Sequence, residues 1–194
     1  RPGFEARDIK GKFSLRASIT SELVLEDVVV PDSARLPRAK GLRAPLSCLT
    51  QARYGIAWSA VGAAQACFDE ALQYALERIV FDKHLAAFQI PQTKLADMAT
   101  QITLAQLLAL RVGRLKDQGR YTPAQVSMAK RNNVAMALEV ARVCRGMLGA
   151  NGISLEYQVG RHLCNLESVI TYEGTHDIQT LAIGHELTGI PAYR

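Results

Sequence analysis

Apolar residues recur every three or four positions over long stretches of this chain, and that period dictates helices. From about Pro45, the residues Ala52, Ile56, Ala60, Ala63, Cys67, Ala71 and Ala75 step at helical spacing and predict one long helix ending near Arg78. At 1.5 Å per residue it runs on the order of 50 Å. A second helix is predicted from about Pro91 to Asp117, with Leu95, Met98, Ile102, Ala105, Leu108 and Val112 on one face. Pro91 suits a first-turn position. Thr122-Pro123-Ala124-Gln125 is a helix start: threonine caps, proline takes the first helical position and glutamine reaches back. That third helix is predicted to run to about Leu148, where Gly149-Ala150-Asn151-Gly152 breaks it. Shorter helices are expected from Glu156 to Glu167 and from Thr175 to Leu187. Long helices with short joins predict a mainly α fold, an antiparallel four-helix bundle.

The N-terminal stretch reads differently. Lys12 to Ser18 alternates polar and apolar residues, and Glu22 to Val30 carries Leu23, Val24, Leu25 and the run Val28-Val29-Val30 before Pro31-Asp32-Ser33. Both segments read as strands. Two or three strands do not make a stable sheet alone, so residues 1–35 read as the end of a β domain and residues 36–194 as the helical domain. A connector with Arg35, Arg38, Lys40 and Arg43 joins them. The start, Arg-Pro-Gly-Phe, has no initiator methionine, and the chain is expected to be the C-terminal part of something longer.

Composition excludes several classes. At 48% hydrophobic and 21% charged, the 194 residues can bury a core. The net charge of +5 is spread too thinly to favour nucleic acid, and no apolar run approaches a membrane span. Cys48, Cys67, Cys144 and Cys164 form no C-x-x-C pair and read as reduced, mostly buried thiols of an intracellular protein. His84, His162, His176 and His185 lack metal-ligand spacing, so no metal is expected. G-x-S-x-G, G-x-G-x-x-G and Walker loops are absent.

The segment Thr171-Tyr172-Glu173-Gly174-Thr175-His176-Asp177 puts a carboxylate on a tight loop just before a helix. Gly174 lets the backbone turn or a ligand approach, and Thr175 can cap the helix. On these residues alone, Glu173 is either a catalytic base or a helix-entry carboxylate. Gly149 to Gly152 is either a C-cap turn or a ligand cradle. Arg78 is either a helix-end charge or a ligand contact. Arg53, early on a largely apolar helix, needs a partner, which is either an internal carboxylate or a ligand phosphate or carbonyl.

Taken together and in order, these segments resemble the acyl-CoA dehydrogenase family. Within it, the match is to the members that oxidise glutaryl-CoA. The resemblance rests on Lys12 to Ser18, Ala52-Arg53-Tyr54-Gly55-Ile56-Ala57-Trp58, Gln73 to Arg78, Lys94 to Met98, Asn151-Gly152-Ile153-Ser154 and Thr171 to Ile178, and it covers essentially the whole chain. It implies the end of the family's middle β domain followed by its C-terminal four-helix bundle. Glu173 matches the base that removes the α-proton of an acyl-CoA thioester, with its own backbone N–H on the thioester carbonyl. Gly174 gives the acyl chain room. Leu46, Ser47, Cys48, Leu49, Thr50, Gln51, Ala52 and Arg53 match the substrate wall. Thr175 matches a contact to the FAD diphosphate. Arg78, Gln89 and the stretch Gly146, Met147, Leu148, Gly149 and Ala150 match contacts to the FAD of a neighbouring subunit, and Tyr193 matches an aromatic beside the flavin. The resemblance further implies a homotetramer, an electron-transferring flavoprotein as partner, and a place in lysine and tryptophan catabolism in the bacterial cytoplasm or mitochondrial matrix. The chain departs from the family pattern at Ala150 and Asp82, where glycine is usual, and at Gly146, where glutamine is frequent. Other readings are a different short-chain acyl-CoA dehydrogenase or oxidase, or a non-catalytic helical scaffold.

Overall fold

Three long helices form the centre of the molecule, as a computed structural model that describes residues 1–192 shows. They are α1 (Arg43–Glu77), α2 (Gln89–Asp117) and α3 (Pro123–Met147), followed by the shorter α4 (Val159–Thr171) and α5 (His176–Thr188). The bundle expectation holds, with α4 and α5 packing against α3. Small residues on α1 face α3: Ala57, Ala60, Ala64, Ala71 and Ala75 are buried there, opposite Ala129, Val134, Ala137, Leu138 and Ala141. Alanines allow close helix approach, and the larger Met98, Ile102, Leu148 and Leu166 fill the remaining space. Buried Asn133 donates to the carbonyls of Ala57 (3.1 Å) and Ala105 (3.0 Å), tying the three long helices together.

The start of α3 is the expected capping box. Gln125 N–H donates to Thr122 Oγ1 at 3.3 Å, and Thr122 N–H donates to Gln125 Oε1 at 3.0 Å. The break after α3 is a 3-10 turn, Gly149–Ile153. Gly152 is needed there, because a Cβ would lie 2.2 Å from the Arg145 carbonyl oxygen. The fourth helix begins three residues later than expected, at Val159. Glu70 on α1 decides this start: its carboxylate accepts the N–H groups of Gln158 (3.0 Å) and Val159 (2.8 Å).

The N-terminal expectations need correction. The strands are β1 (Phe4–Asp8) and β2 (Ser21–Leu25), paired antiparallel with Phe4 opposite Leu25 and Asp8 opposite Ser21. Residues 12–18 are not a strand but a folded loop, and Val28 to Val30 lie outside β2. Lys12 Nζ donates to Leu15 O, Ser18 O and Thr20 Oγ1, closing the loop on itself. Leu15 N–H donates to Asn165 Oδ1 at 2.8 Å, and Ser14 and Ser168 hydroxyls bond, docking the loop on α4. A second hairpin, β3 (Ile79–Val80) with β4 (Lys83–His84), joins α1 to α2. Phe81 and Asp82 at its tip both have positive φ, 47° and 62°, as a two-residue hairpin turn of this hand requires. The thiols divide evenly rather than being mostly buried. Cys67 and Cys144 are buried, with burial pushing both thiols up to about 12, whereas Cys48 and Cys164 are exposed.

Candidate active site

The turn between α4 and α5 carries Glu173, and helices α1, α3 and α5 hold it. Glu173 adopts φ 55°, a left-handed conformation that a non-glycine residue keeps only under external restraint. Gly174 follows at φ 88°; a Cβ there would lie 2.3 Å from Gln179 Nε2 and 3.3 Å from an Arg53 guanidinium nitrogen. The restraint is a set of side chains on consecutive carbonyls. Arg53 Nε donates to Glu173 O at 2.8 Å. Gln179 Nε2 donates to Glu173 O (3.0 Å) and Gly174 O (3.2 Å). Lys130 Nζ donates to Tyr172 O (2.9 Å) and Gly174 O (2.7 Å). The partner of Arg53 is thus internal, but it is a backbone carbonyl of the Glu173 turn rather than the carboxylate expected.

Three side-chain atoms here are buried without a hydrogen-bond partner among the described residues: Glu173 Oε2, His176 Nδ1 and Gln179 Oε1. A buried carboxylate oxygen with no donor costs stability and is free to take a proton. Lys130 is itself only 1% exposed. Burial pushes its ammonium down to about 8, the Arg53 cation adds to that, and the Glu173 carboxylate opposes it. Burial and the same carboxylate push the Tyr172 phenol up. Thr175 caps α5 by accepting from Ile178 N–H at 3.2 Å.

The segment from Leu46 to Arg53 forms the first turns of α1. Arg53 reaches the Glu173 turn. Leu46, Ser47, Cys48 and Gln51 are exposed, Leu49, Thr50 and Ala52 are half-buried, and Gln51 accepts from Lys116 Nζ at 2.6 Å.

A second cluster lies elsewhere on the bundle. Arg78, Met147, Leu148, Gly149 and Ala150 line a cavity of about 310 Å³ with Tyr74, Leu85 and Asn151. Asn151 Nδ2 donates to Tyr74 Oη at 3.3 Å, and the Tyr74 ring packs edge-on against Tyr157. The structure therefore brings Arg78 and the 147–150 turn to one cavity and leaves Gly146 and Gln89 outside that lining. Both are exposed, Gly146 near the end of α3 and Gln89 at the start of α2. Ala150 is exposed at the cavity, and Asp82 is exposed on the β3–β4 tip. The expectation for Tyr193 falls outside the described residues. Arg53 lies near the start of α1 and Arg78 caps its far end, roughly 37 Å along the helix, so the two clusters are separate places. Among the described residues no group of histidine, cysteine or carboxylate side chains is placed to hold a metal ion, and no helix is long and apolar enough to cross a membrane.

Sequence reasoning missed Lys130 and Gln179. A lysine in the buried register of α3, between Val126 and Asn133 and Val134, was the available signal for the first. Gln179 carried none, because its partners are backbone atoms.

Comparison with known proteins shows the family. Residues 39–188 match the family model for the acyl-CoA dehydrogenase C-terminal domain. The chain superposes on a crystal structure of glutaryl-CoA dehydrogenase from Mycobacterium smegmatis with a TM-score of 0.97 at 56% identity, covering 100% of this chain and 50% of that one. A glutaryl-CoA dehydrogenase structure from the same organism, in complex with FADH2, gives 0.97 at 51% identity with the same coverage. A short-chain-specific acyl-CoA dehydrogenase of Megasphaera elsdenii is 34% identical over 96% of this chain and 49% of its own length. The chain thus spans about half the length of the relatives it matches. The match over residues 39–188, on a helical bundle that superposes along its whole length, makes this chain a member of the acyl-CoA dehydrogenase family through that family's C-terminal domain.

Proposed function

We propose that the protein carrying this chain is an FAD-dependent dehydrogenase of acyl-CoA thioesters, with Glu173 as the base that takes the α-proton. The observation that carries this reading is the buried, unpartnered Glu173 Oε2 on a left-handed turn held by Arg53, Lys130 and Gln179. A carboxylate kept from other donors and fixed in place is what proton abstraction from carbon needs. The Glu173 N–H would donate to the thioester carbonyl oxygen and stabilise the charge that develops there. Gly174 leaves room for the acyl chain, and the wall from Leu46 to Arg53 would border the substrate. Bound FAD would supply the two-electron acceptor for the β-hydride. Thr175, at the start of α5, would contact its diphosphate. Arg78 and the turn at 147–150 offer a cation and a glycine-bearing cradle around one cavity, which fits a second copy of the cofactor. Their distance along α1 from Arg53, which holds the Glu173 turn, accords with the FAD of a neighbouring subunit, and the family resemblance makes that assembly a homotetramer.

Likeness to glutaryl-CoA dehydrogenases at 56% and 51% identity supports glutaryl-CoA as the substrate. The glutaconyl product would then lose CO2 and gain a proton, giving crotonyl-CoA, and electrons would leave through an electron-transferring flavoprotein. On this reading residues 1–35 close the middle β domain and residues 36–194 form the helical one, and the enzyme works in the bacterial cytoplasm or the mitochondrial matrix.

The test uses the full-length protein. Its absorption spectrum is recorded, then glutaryl-CoA turnover with an artificial electron acceptor is compared between wild type and Glu173→Gln. A flavin spectrum, CO2 release and a rate loss of at least about a thousandfold in the variant are expected. A flavin spectrum without glutaryl-CoA turnover points to a different acyl-CoA. A colourless protein that cannot be reconstituted with FAD points to a non-catalytic scaffold.

A further inference from the structure

Lys130 is a buried cation, and among the described residues no carboxylate forms an ion pair with it. Its hydrogen bonds go to two backbone carbonyls, those of Tyr172 and Gly174, one on each side of Glu173. The Tyr172 carbonyl and the Glu173 N–H belong to the same peptide unit. That unit is planar and trans, so its C=O and N–H point in opposite directions. Fixing the oxygen toward Lys130 therefore aims the Glu173 N–H away from α3. Among the described residues no hydrogen bond uses that N–H. A positive charge on the oxygen side of an amide also draws electron density from the nitrogen, so its N–H becomes a stronger donor. The Glu173 carbonyl is taken separately by Arg53 and Gln179. Of the three carbonyl clamps, Lys130 alone acts on the peptide unit that contains the Glu173 N–H.

We propose that Lys130 is a positioning residue for catalysis: it orients and polarises the Glu173 N–H as the donor to the thioester oxygen, besides closing the turn that carries the base. This rests on Glu173 acting at the α-carbon, as proposed above. A merely structural lysine would fasten the turn and leave the chemistry of that amide unaffected. An orienting and polarising one would act mainly on the step in which the oxygen becomes negative, and little on ground-state binding.

The experiment uses the full-length, FAD-loaded protein and an acyl-CoA analogue with sulfur in place of the β-methylene. This analogue cannot give up a β-hydride but keeps acidic α-protons. Exchange of those protons with D2O is followed by NMR, and the analogue's Kd is measured separately. Lys130→Gln is expected to slow exchange about 10- to 100-fold with Kd changed by less than about threefold, and Lys130→Arg to recover most of the loss. Exchange at the wild-type rate in Lys130→Gln overturns the proposal. So does a loss of rate matched by an equal loss of affinity, or a Lys130→Arg variant no faster than Lys130→Gln. If Lys130→Gln does not take up flavin, Lys130→Met is measured instead; failure of both to take up flavin shows a structural cation and also overturns it. Glu173→Gln is run in parallel. If that variant keeps wild-type exchange, the reading of Glu173 as base fails, independently of the Lys130 result.

Discussion

Glu173 is held where it is by neighbours that hydrogen-bond its backbone and not its carboxylate. Arg53, Lys130 and Gln179 come from three helices and bind only backbone oxygens of the turn, so the left-handed backbone at Glu173 is maintained by tertiary contacts. The buried cation among them has a pH signature. Lys130 sits at about 8 in the fold, against 10.5 for a free lysine, because burial and Arg53 outweigh the Glu173 carboxylate. Below about 8 both folded and unfolded chains hold the proton, and the burial penalty is constant. Between about 8 and 10.5 the unfolded chain binds more protons, so stability contributed at this position rises with pH. Urea unfolding of wild type and Lys130→Met from pH 7 to 10.5 should show wild type gaining on the variant by on the order of 1–3 kcal/mol across that window. A constant difference would mean the ammonium is not shifted. Arg53 was legible in the sequence because a cation on an apolar helix demands a partner. Gln179 was not, because an isolated glutamine near a helix start has many uses.

Each long helix was readable from its own residues, as was the short α5, within one residue at each end; the start of α4 and the strand β1 were not. The three-to-four-residue apolar period placed α1, α2 and α3 within two residues of their observed ends, and Thr122 with Gln125 marked the start of α3. The α4 start was misplaced because its capping group is Glu70, 88 residues away from Gln158. Glu70→Ala leaves two N–H groups at that start without their acceptor. It should destabilise the fold by about 1–2 kcal/mol, seen as a lower urea midpoint with an unchanged slope. Residues 12–18 were read as a strand because alternation of polar and apolar side chains also suits a loop with one face on a helix. Ser14 and Leu15 turn that face to α4. The true strand, Phe4–Asp8, is wholly exposed, and an exposed strand carries no burial pattern to read.

The molecule as a whole exposes apolar surface that a self-contained bundle would cover. On α2, Leu104 (54% exposed) and Leu107 (56%) project from the same side as Leu110. Exposed leucines on one side of a well-packed helix are a candidate subunit contact. The homotetramer proposed here gives that surface an occupant. Leu107→Lys in the full-length protein should shift the assembly toward smaller species by sedimentation velocity, while helical content by circular dichroism stays unchanged. An unaltered tetramer would place the interface on another face. At this level the sequence offered only the net charge of +5 and the resemblance, since neither periodicity nor composition says which exposed leucines meet a partner.

Local information was enough for everything that depends on neighbours in the chain: the helix period, the capping box, the break at Gly149, and a carboxylate on a glycine turn before a helix. Each of these is settled within a few residues by backbone hydrogen bonding and side-chain spacing. Contacts between distant segments settled the rest. Lys130 meets the Glu173 turn from 42 and 44 residues away, Arg53 from 120, and Glu70 reaches α4 from 88 and 89. In all of these the acceptor or donor on one side is a backbone group. Every residue carries such groups, so no residue type in the sequence announces the contact, and only the packing of the helices chooses which carbonyl or N–H is reached.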